Sequence, residues 1–460
     1  MAKRADYYRD ENRRVVQKRP QGGGRALFLW VMDVVVFVVT VMAAIALLAG
    51  LLARVVDPRS VTLFAFAGLF YQVIFVVNVA CALWWVVRWR RWFALSAVVL
   101  LLGAGAIGLF YRSDMSAKEA EVERTRDDLR IATYNVMNFS DTNTPEGENN
   151  YNRVMEWLNQ QGVQIACIQE AHFSSSKSFA GFKEGLKKMG YGFFTNSQSE
   201  YADSKTGSGY ALFSTYPIVR HDVVFAGEGA FGNIKGVWAD VKIARDTVRV
   251  YNLHLQSTGI TNEERNDTLS PQIIEDTMAR AKLSAVVGKM VENYRARAEQ
   301  AEAIANHIAT SPYPTIVCGD FNDTPMSYTY GTITSADLAD AFVEVGRGAE
   351  YTFKGLYNLF RIDYILTKED EFEVKEYRSF ELDYSDHKPI TVLIGLTSNV
   401  NSRGLAFNRA RKHYKNGRSY KNFRKDKKPV FPISPVFLVL PAKNFAGIFF
   451  NTREVFVKFL

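Results

Sequence analysis

The stretch I-V-C-G-D-F-N-D-T-P at residues 316–325 decides how the rest of the chain is read. Its apolar first half has the composition of a strand, which would end by delivering Asp320 and Asn322 into a turn. Two apart at a strand end, these side chains share a face. One accepts protons and the other is a neutral hydrogen-bond donor, a combination suited to orienting a water against a phosphate held by a metal. Gly-Asp with a neighbouring Asn is also ordinary turn chemistry, so the stretch takes its meaning from the segments around it.

Five further apolar runs each end on polar residues of catalytic type: I-A-T-Y-N (Asn135), I-A-C-I-Q-E (Glu170), V-Y-N-L-H (Asn252, His254), R-I-D-Y-I-L (Asp363) and S-D-H-K-P-I (Asp386, His387). Together the six segments, in this order, resemble the endonuclease/exonuclease/phosphatase superfamily, the DNase I-like fold, over residues 129–396. The resemblance implies an α/β (α+β) domain, a four-layer sandwich of two packed mixed β-sheets flanked by helices. It also implies that these residues gather at one end of the sheets around a divalent cation and the scissile phosphate.

By the same resemblance Glu170 is the metal-binding carboxylate, a hard oxygen ligand of the kind Mg²⁺ prefers, with Mn²⁺ as the substitute. Asn135 and Asp386 correspond to residues that assist the metal or its waters. His387 corresponds to the histidine that acts on the attacking water or the phosphate, and Asp363 to the carboxylate that fixes its tautomer. Asp320 would orient or deprotonate the nucleophile, and Asn322 would donate to a phosphate oxygen. His254 is similar to the second histidine of the DNase I, sphingomyelinase and inositol-phosphatase branches, which donates to the phosphate or protonates the leaving oxygen. The abasic-site repair endonucleases carry a tyrosine in that strand, so His254 points away from them. No glutamate in residues 209–220 offers itself as the partner that orients His254.

Charge is strongly segregated. Residues 1–110 carry a net +8, residues 111–400 a net −12 and residues 401–460 a net +12, so the basic pI belongs to the two ends. An acidic central region is a poor generic polyanion surface, although Lys235, Arg265, Lys354, Arg361 and Lys388 could line a local basic groove. Cys81, Cys167 and Cys318 are too few for a disulfide framework and read as buried thiols.

The chain divides into a basic cytoplasmic tail (1–25), a transmembrane anchor (26–110), a linker (111–128), the catalytic domain (129–397) and a basic, disordered extension (398–460). Apolar runs at 26–53, 61–87 and 93–110 predict three transmembrane helices. The basic run Arg88, Arg90, Arg91 and the basic N-terminus place those ends in the cytoplasm, so the catalytic domain would face out from the cell (inner) membrane. Asp33 is the one carboxylate within the first run and by default a functional candidate. His172, His221, His307 and His413 read as structural or solvated, and Tyr251 and Phe321 as core.

Helices are predicted at 152–161, 182–189 and 271–310, and strands at 210–213, 237–243 and 248–253. The function predicted is a membrane-anchored, Mg²⁺-dependent phosphoesterase, foremost an endonuclease-type hydrolase acting on nucleic acid. A lipid phosphodiesterase acting on phospholipid or sphingolipid headgroups, or a phosphomonoesterase, is the alternative. The rival from another class is a non-catalytic membrane scaffold or receptor, against which the retention of the whole residue set speaks.

Overall fold

The computed structural model describes residues 23–113, 128–139, 150–172, 176–196, 209–226, 233–259, 277–355, 358–368 and 370–397. Most of the 1–25 tail, most of the 111–128 linker, Arg265 and the 398–460 extension lie outside the described residues. The chain falls into two compact units, Met1–Leu47 with Gln72–Leu102, and Leu48–Tyr71 with Gly103–Leu460.

Four helices open the chain: α1 (Gly23–Leu52), α2 (Leu63–Leu69), α3 (Tyr71–Val87) and α4 (Phe93–Ile107). The expectation of three transmembrane helices is corrected here. Among the described residues one helix, Ala26–Leu52, is long and apolar enough to cross a membrane. The second apolar run is broken at Phe70, between α2 and α3. The third keeps 15 residues of helix, about 22 Å at 1.5 Å per residue against a hydrocarbon core of about 30 Å. Apolar composition registers the length of a run and is blind to where its hydrogen-bond ladder stops.

Within the first unit Asp33 joins α1 to α3. Arg88 donates to both of its oxygens, Nε to Oδ1 at 2.9 Å and Nη2 to Oδ2 at 2.8 Å, and Trp84 Nε1 adds a third bond at 3.2 Å. Trp85 Nε1 bonds Thr40 Oγ1 at 2.8 Å, and Asn78 Nδ2 bonds the Ala43 carbonyl at 2.9 Å, so polar side chains tie α1 to α3 at three heights. Such bonds between apolar helices satisfy groups that would otherwise lie unpaired among aliphatic side chains.

The second unit holds two six-stranded sheets. One runs β13 (Phe372–Ser379), β14 (Ile390–Leu396), β2 (Leu129–Asn135), β3 (Ile165–Gln169), β5 (Ala211–Ser214) and β4 (Phe193–Asn196). The other runs β10 (Ala339–Asp340), β12 (Asp363–Thr367), β9 (Thr315–Asp320), β8 (Asp246–His254), β7 (Asn233–Ile243) and β6 (Ile218–Ala226). A short ribbon pairs β1 (Tyr111–Arg112) with β11 (Gly348–Ala349). Each large sheet is antiparallel except at one parallel pair, β2 with β3 and β8 with β9.

Period-two alternation assigns the layers. Ile131, Cys167, Val237, Val250, Ile316, Cys318 and Ile365 pack between the sheets. Their strand neighbours Tyr134 and Ile168 face outward under α5 (Tyr151–Gln160) and α6 (Ser176–Lys188), among Trp157 and Phe182. Tyr251, Val317 and Leu366 face outward under α7 (Thr277–Ala309), against Ile304 and Ile308. Helix, sheet, sheet, helix is the resulting order, a mixed α/β sandwich consistent with the DNase I-like fold. Two short helices, α8 (Tyr328–Thr334) and α9 (Ala341–Val345), follow β9 and β10.

Cys167 and Cys318 are fully buried between the sheets, and burial pushes the Cys167 thiol well up. His307 shares a 2.9 Å hydrogen bond with Tyr251 and His221 a 3.0 Å bond with Thr195.

Candidate active site

Strand register does most of the assembly. Asp320 at the end of β9 pairs with Asp363 on β12 on one side and with His254 on β8 on the other. Directly paired residues project from the same face, so three strands present three functional groups on one rung. In the other sheet Asn135 pairs with Gln169, and Glu170 follows. All these strands turn the same parity inward that buries Ile131, Cys167, Val250, Ile316 and Ile365, so the polar groups continue the apolar core at its open end.

The side chains meet across the gap between the sheets. Asn135 Nδ2 donates to Glu170 Oε1 and to Asp320 Oδ2, both at 3.1 Å. His254 Nε2 lies 3.6 Å from those same two oxygens, buried and with no hydrogen-bond partner. Two carboxylates thus converge on one amide nitrogen and one imidazole nitrogen. That set of hard oxygens can hold a divalent cation, which would offset the repulsion between them.

His387 Nδ1 faces Asp363 Oδ2 at 2.9 Å and its Nε2 faces Asp320 Oδ2 at 3.8 Å. Asp320, Asp363 and His387, all buried, offer ligand atoms within 4.8 Å of one another. Burial opposes charge on the imidazole, but Asp363 and Asp320 outweigh it and hold His387 up at about 10. Burial lifts the Asp363 carboxyl to about 6 against the pull of that imidazolium. The two carboxylates therefore favour the imidazolium form of His387.

The remaining residues fall where the turns put them. Asn322, at φ 52°, folds its amide back to the Leu255 carbonyl at 3.1 Å and Asp320 Oδ2 at 3.3 Å. Glu170 also takes φ 52°, a conformation costly for a glutamate and held here by its surroundings. Asp386 stands at the rim, half-exposed, with Oδ1 4.0 Å from His387 Nε2. Asn252 is not at the chemistry: it is fully buried and donates to the carbonyls of Ile168 at 2.9 Å and Ala211 at 3.0 Å, clipping the sheets together.

Several positioning groups escape a reading of motifs. Tyr210, inside the 209–220 segment where no glutamate stands, sets its ring edge-on to His254 at 6.2 Å between centroids. Ser385 Oγ donates to the Asn135 carbonyl at 2.7 Å and accepts from the His387 amide at 3.0 Å, fastening the S-D-H turn to β2. Thr352 Oγ1 accepts from the Asp363 amide at 3.0 Å. Arg297 on α7 donates to Asp323 Oδ2 at 3.2 Å and the Gln256 carbonyl at 2.8 Å, tying together the turns after β9 and β8. Only the Ser385 motif position was legible beforehand, and its hydroxyl bond required the fold.

The basic groove does not form from the described cations. Arg361 is fully buried on Asp340 at 2.8 Å, Lys388 pairs with Glu350 and Glu381 at 3.3 Å each, and Lys354 donates to the Ser385 carbonyl at 2.7 Å. Lys235 is buried and bonded to Gln256 Oε1 at 3.2 Å, and burial lowers its ammonium.

A search of curated proteins returned no match. Among solved structures, the chain is similar to an endonuclease/exonuclease/phosphatase from Beutenbergia cavernae at 19% identity, covering 59% of this chain and 72% of that one, with a TM-score of 0.43. It is similar to the human Nocturnin catalytic domain with bound sulfate at 16% identity, covering 59% and 94%, with a TM-score of 0.39. A mutant of the beta toxin from Staphylococcus aureus with bound magnesium ions aligns at 18% identity over 58% and 99%, with a TM-score of 0.39. A family model for a domain of unknown function matches residues 33–110. The model of the Endonuclease/Exonuclease/phosphatase family matches residues 132–387, more than half of the chain and every one of the assembled side chains, and the chain belongs to that family.

Proposed function

We propose that the chain is a divalent-metal-dependent phosphoester hydrolase that cleaves phosphodiesters with water, foremost in nucleic acid, and that its apolar N-terminus anchors it to a membrane. The observation that carries the reading is the convergence of Asn135, Glu170, His254, Asp320, Asp363 and His387 on one end of the sandwich. Glu170, with Asn135 beside it and Asp386 at the rim, would hold Mg²⁺, or Mn²⁺ in its place. When bound, the cation supplies charge stabilisation to the phosphate and lowers the pKa of a coordinated water.

The chain's own groups have separable tasks. Asp320, inward and hydrogen-bonded by two neutral amides, accepts the proton of the attacking water or orients it. The His387 imidazolium, held by Asp363, donates to a non-bridging oxygen as negative charge builds there. His254 donates toward the leaving oxygen, and Asn322 positions Asp320 through its backbone amide at 2.7 Å as well as through its side chain.

Placement of the catalytic domain outside the cytoplasm rests on the basic N-terminus and the Arg88–Arg91 turn. Support comes from residues 53–70, which follow α1 and share one compact unit with the catalytic strands. A second reading, hydrolysis of phospholipid or sphingolipid headgroups, is favoured by the exposed Val55, Leu63 and Phe70 of that same segment, which is part of the catalytic unit.

The test is plasmid nicking by the full chain in detergent with Mg²⁺, beside Asp320→Ala prepared identically. Nicking that disappears in the variant supports the nuclease reading. Absence of nicking, with Asp320-dependent release of headgroups from liposomes, moves the substrate to lipid. Absence of both sinks the hydrolase reading.

A further inference from the structure

The turn that carries Asp320 and Asn322 is held from two sides. Its inner side is bound by the protein's own core: Asp323 is buried, paired with Arg297 and bonded by Thr329 Oγ1 at 2.9 Å, and Tyr364 donates to the Asp323 carbonyl at 2.8 Å. Its outer side is met by a distant segment, the connector Leu48–Tyr71, which runs from the end of α1 through α2 to the first residue of α3 and reaches the turn across 256 residues at the Thr324–Gly68 bond.

Two backbone-to-backbone approaches make the contact close. A Cβ placed on Gly68 would lie 2.1 Å from the Met326 carbonyl oxygen and 2.7 Å from the Ala53 side chain. A Cβ on Gly331 would lie 2.5 Å from the Arg54 carbonyl oxygen. Glycine at each position lets the connector backbone reach the turn and the start of α8, which no residue with a side chain permits. Thr324 Oγ1, two residues past Asn322, donates to the Gly68 carbonyl at 3.4 Å.

Side chains extend the contact outward. The Arg54 guanidinium covers the Tyr330 ring at 5.4 Å, and Arg59 pairs with Glu302, which also accepts from Tyr328 Oη at 2.7 Å. Phe66 meets Tyr294 edge-on at 5.4 Å, and Phe70 meets Phe360 at 6.3 Å. The connector thus touches α7, the 324–331 turn and the strand entry before Asp363, all of which position catalytic groups.

We propose that the connector Leu48–Tyr71 is a positioning element of the active site, fixing the turn that carries Asp320 and Asn322 through Gly68, Phe66 and Arg54. The proposal rests on the hydrolase reading for its catalytic consequence, while its structural core does not. A turn pressed between Arg297 on one side and the Gly68 backbone on the other has few alternative conformations, and misplacement by an ångström is costly to a water held for in-line attack.

The experiment uses the full chain in detergent, with Gly68→Val, which inserts volume against Met326, and Phe66→Ala, which removes the ring on Tyr294 without adding any. Hydrogen–deuterium exchange of residues 321–334 is read first and needs no substrate. Both variants are expected to speed exchange there about tenfold or more while β2, β3 and β14 keep their protection. With Mg²⁺ and bis(p-nitrophenyl) phosphate, kcat is expected to fall about tenfold with KM nearly unchanged, the split that separates positioning from lost binding. Wild-type protection of residues 321–334 in Phe66→Ala overturns the proposal, whatever Gly68→Val does. Faster exchange with an unchanged kcat overturns the positioning role. Failure of the hydrolase reading shows separately, as wild-type turnover that does not depend on Asp320.

Discussion

Glu170 and Asn322 follow their strands in the left-handed region, where Glu170 accepts from the Asn135 amide and Asn322 turns its own amide back to Asp320. An asparagine tolerates this conformation; a glutamate does so only where the surroundings impose it. Glu170→Gln keeps the shape and removes the charge, so the Mg²⁺ concentration for half-maximal activity should rise at least about tenfold with the melting temperature unchanged. Metal titration of activity checks it, and an unaltered Mg²⁺ requirement would take Glu170 out of the metal set. For Asp363→Asn the sign follows from the imidazole. Asp363 raises His387 to about 10, so activity that needs the imidazolium is full at neutral pH and is lost as pH rises through that value. Without the carboxylate charge the alkaline limb should move down by at least about one pH unit, seen in the pH profile of kcat/KM. The raised His387 pKa on its own contributes stability that is full below the unfolded histidine's ordinary pKa of about 6.5 and disappears as pH rises through about 10.

Among the elements, α7 does more than cover a sheet. Its Arg297, almost wholly buried, bridges the turns after β8 and β9, while Gln300 Oε1 accepts from the Gln256 amide at 2.9 Å. Burial raises the Asp323 carboxyl and the Arg297 charge works against that rise. Removing the guanidinium in Arg297→Ala leaves Asp323 buried without its partner, a loss of about 3–5 kcal/mol in unfolding free energy. Denaturant unfolding measures it, and Arg297→Met combined with Asp323→Leu should recover part of the loss because no unpaired charge remains. The apolar run of β9 was readable from composition alone, whereas which of Ile316, Val317 and Cys318 face the other sheet was not. The helix break at Phe70 was not, because both flanking segments are equally apolar.

At the scale of the whole molecule the catalytic unit is larger than its motif-bearing segment. It takes in Leu48–Tyr71, and the Leu109 and Phe110 carbonyls accept from Arg361 Nη2 at 2.8 Å and the Glu350 amide at 3.2 Å. A chain beginning at residue 111 loses these contacts and exposes the apolar surface beneath them. It is expected to melt at least about 5 °C below the full chain in the same detergent, followed by intrinsic fluorescence. Equal melting would show that the connector adds nothing to the stability of the sandwich.

The sequence by itself determined the apolar runs of the strands, the identity and order of the polar residues at their ends, and the separation of an apolar N-terminal region from an acidic central one. These are local properties: strand parity and strand ends are set by neighbours one or two residues away. Tertiary structure alone decided the pairing of Asp320 with Asp363 and His254, the Tyr210 ring beside His254, and the burial of Arg361 and Lys388 on acids rather than along a groove. It also decided the return of residues 48–71 onto the catalytic turn. Each of these depends on which distant segments share a rung or an interface, and hydropathy and charge along the chain carry no record of that partner.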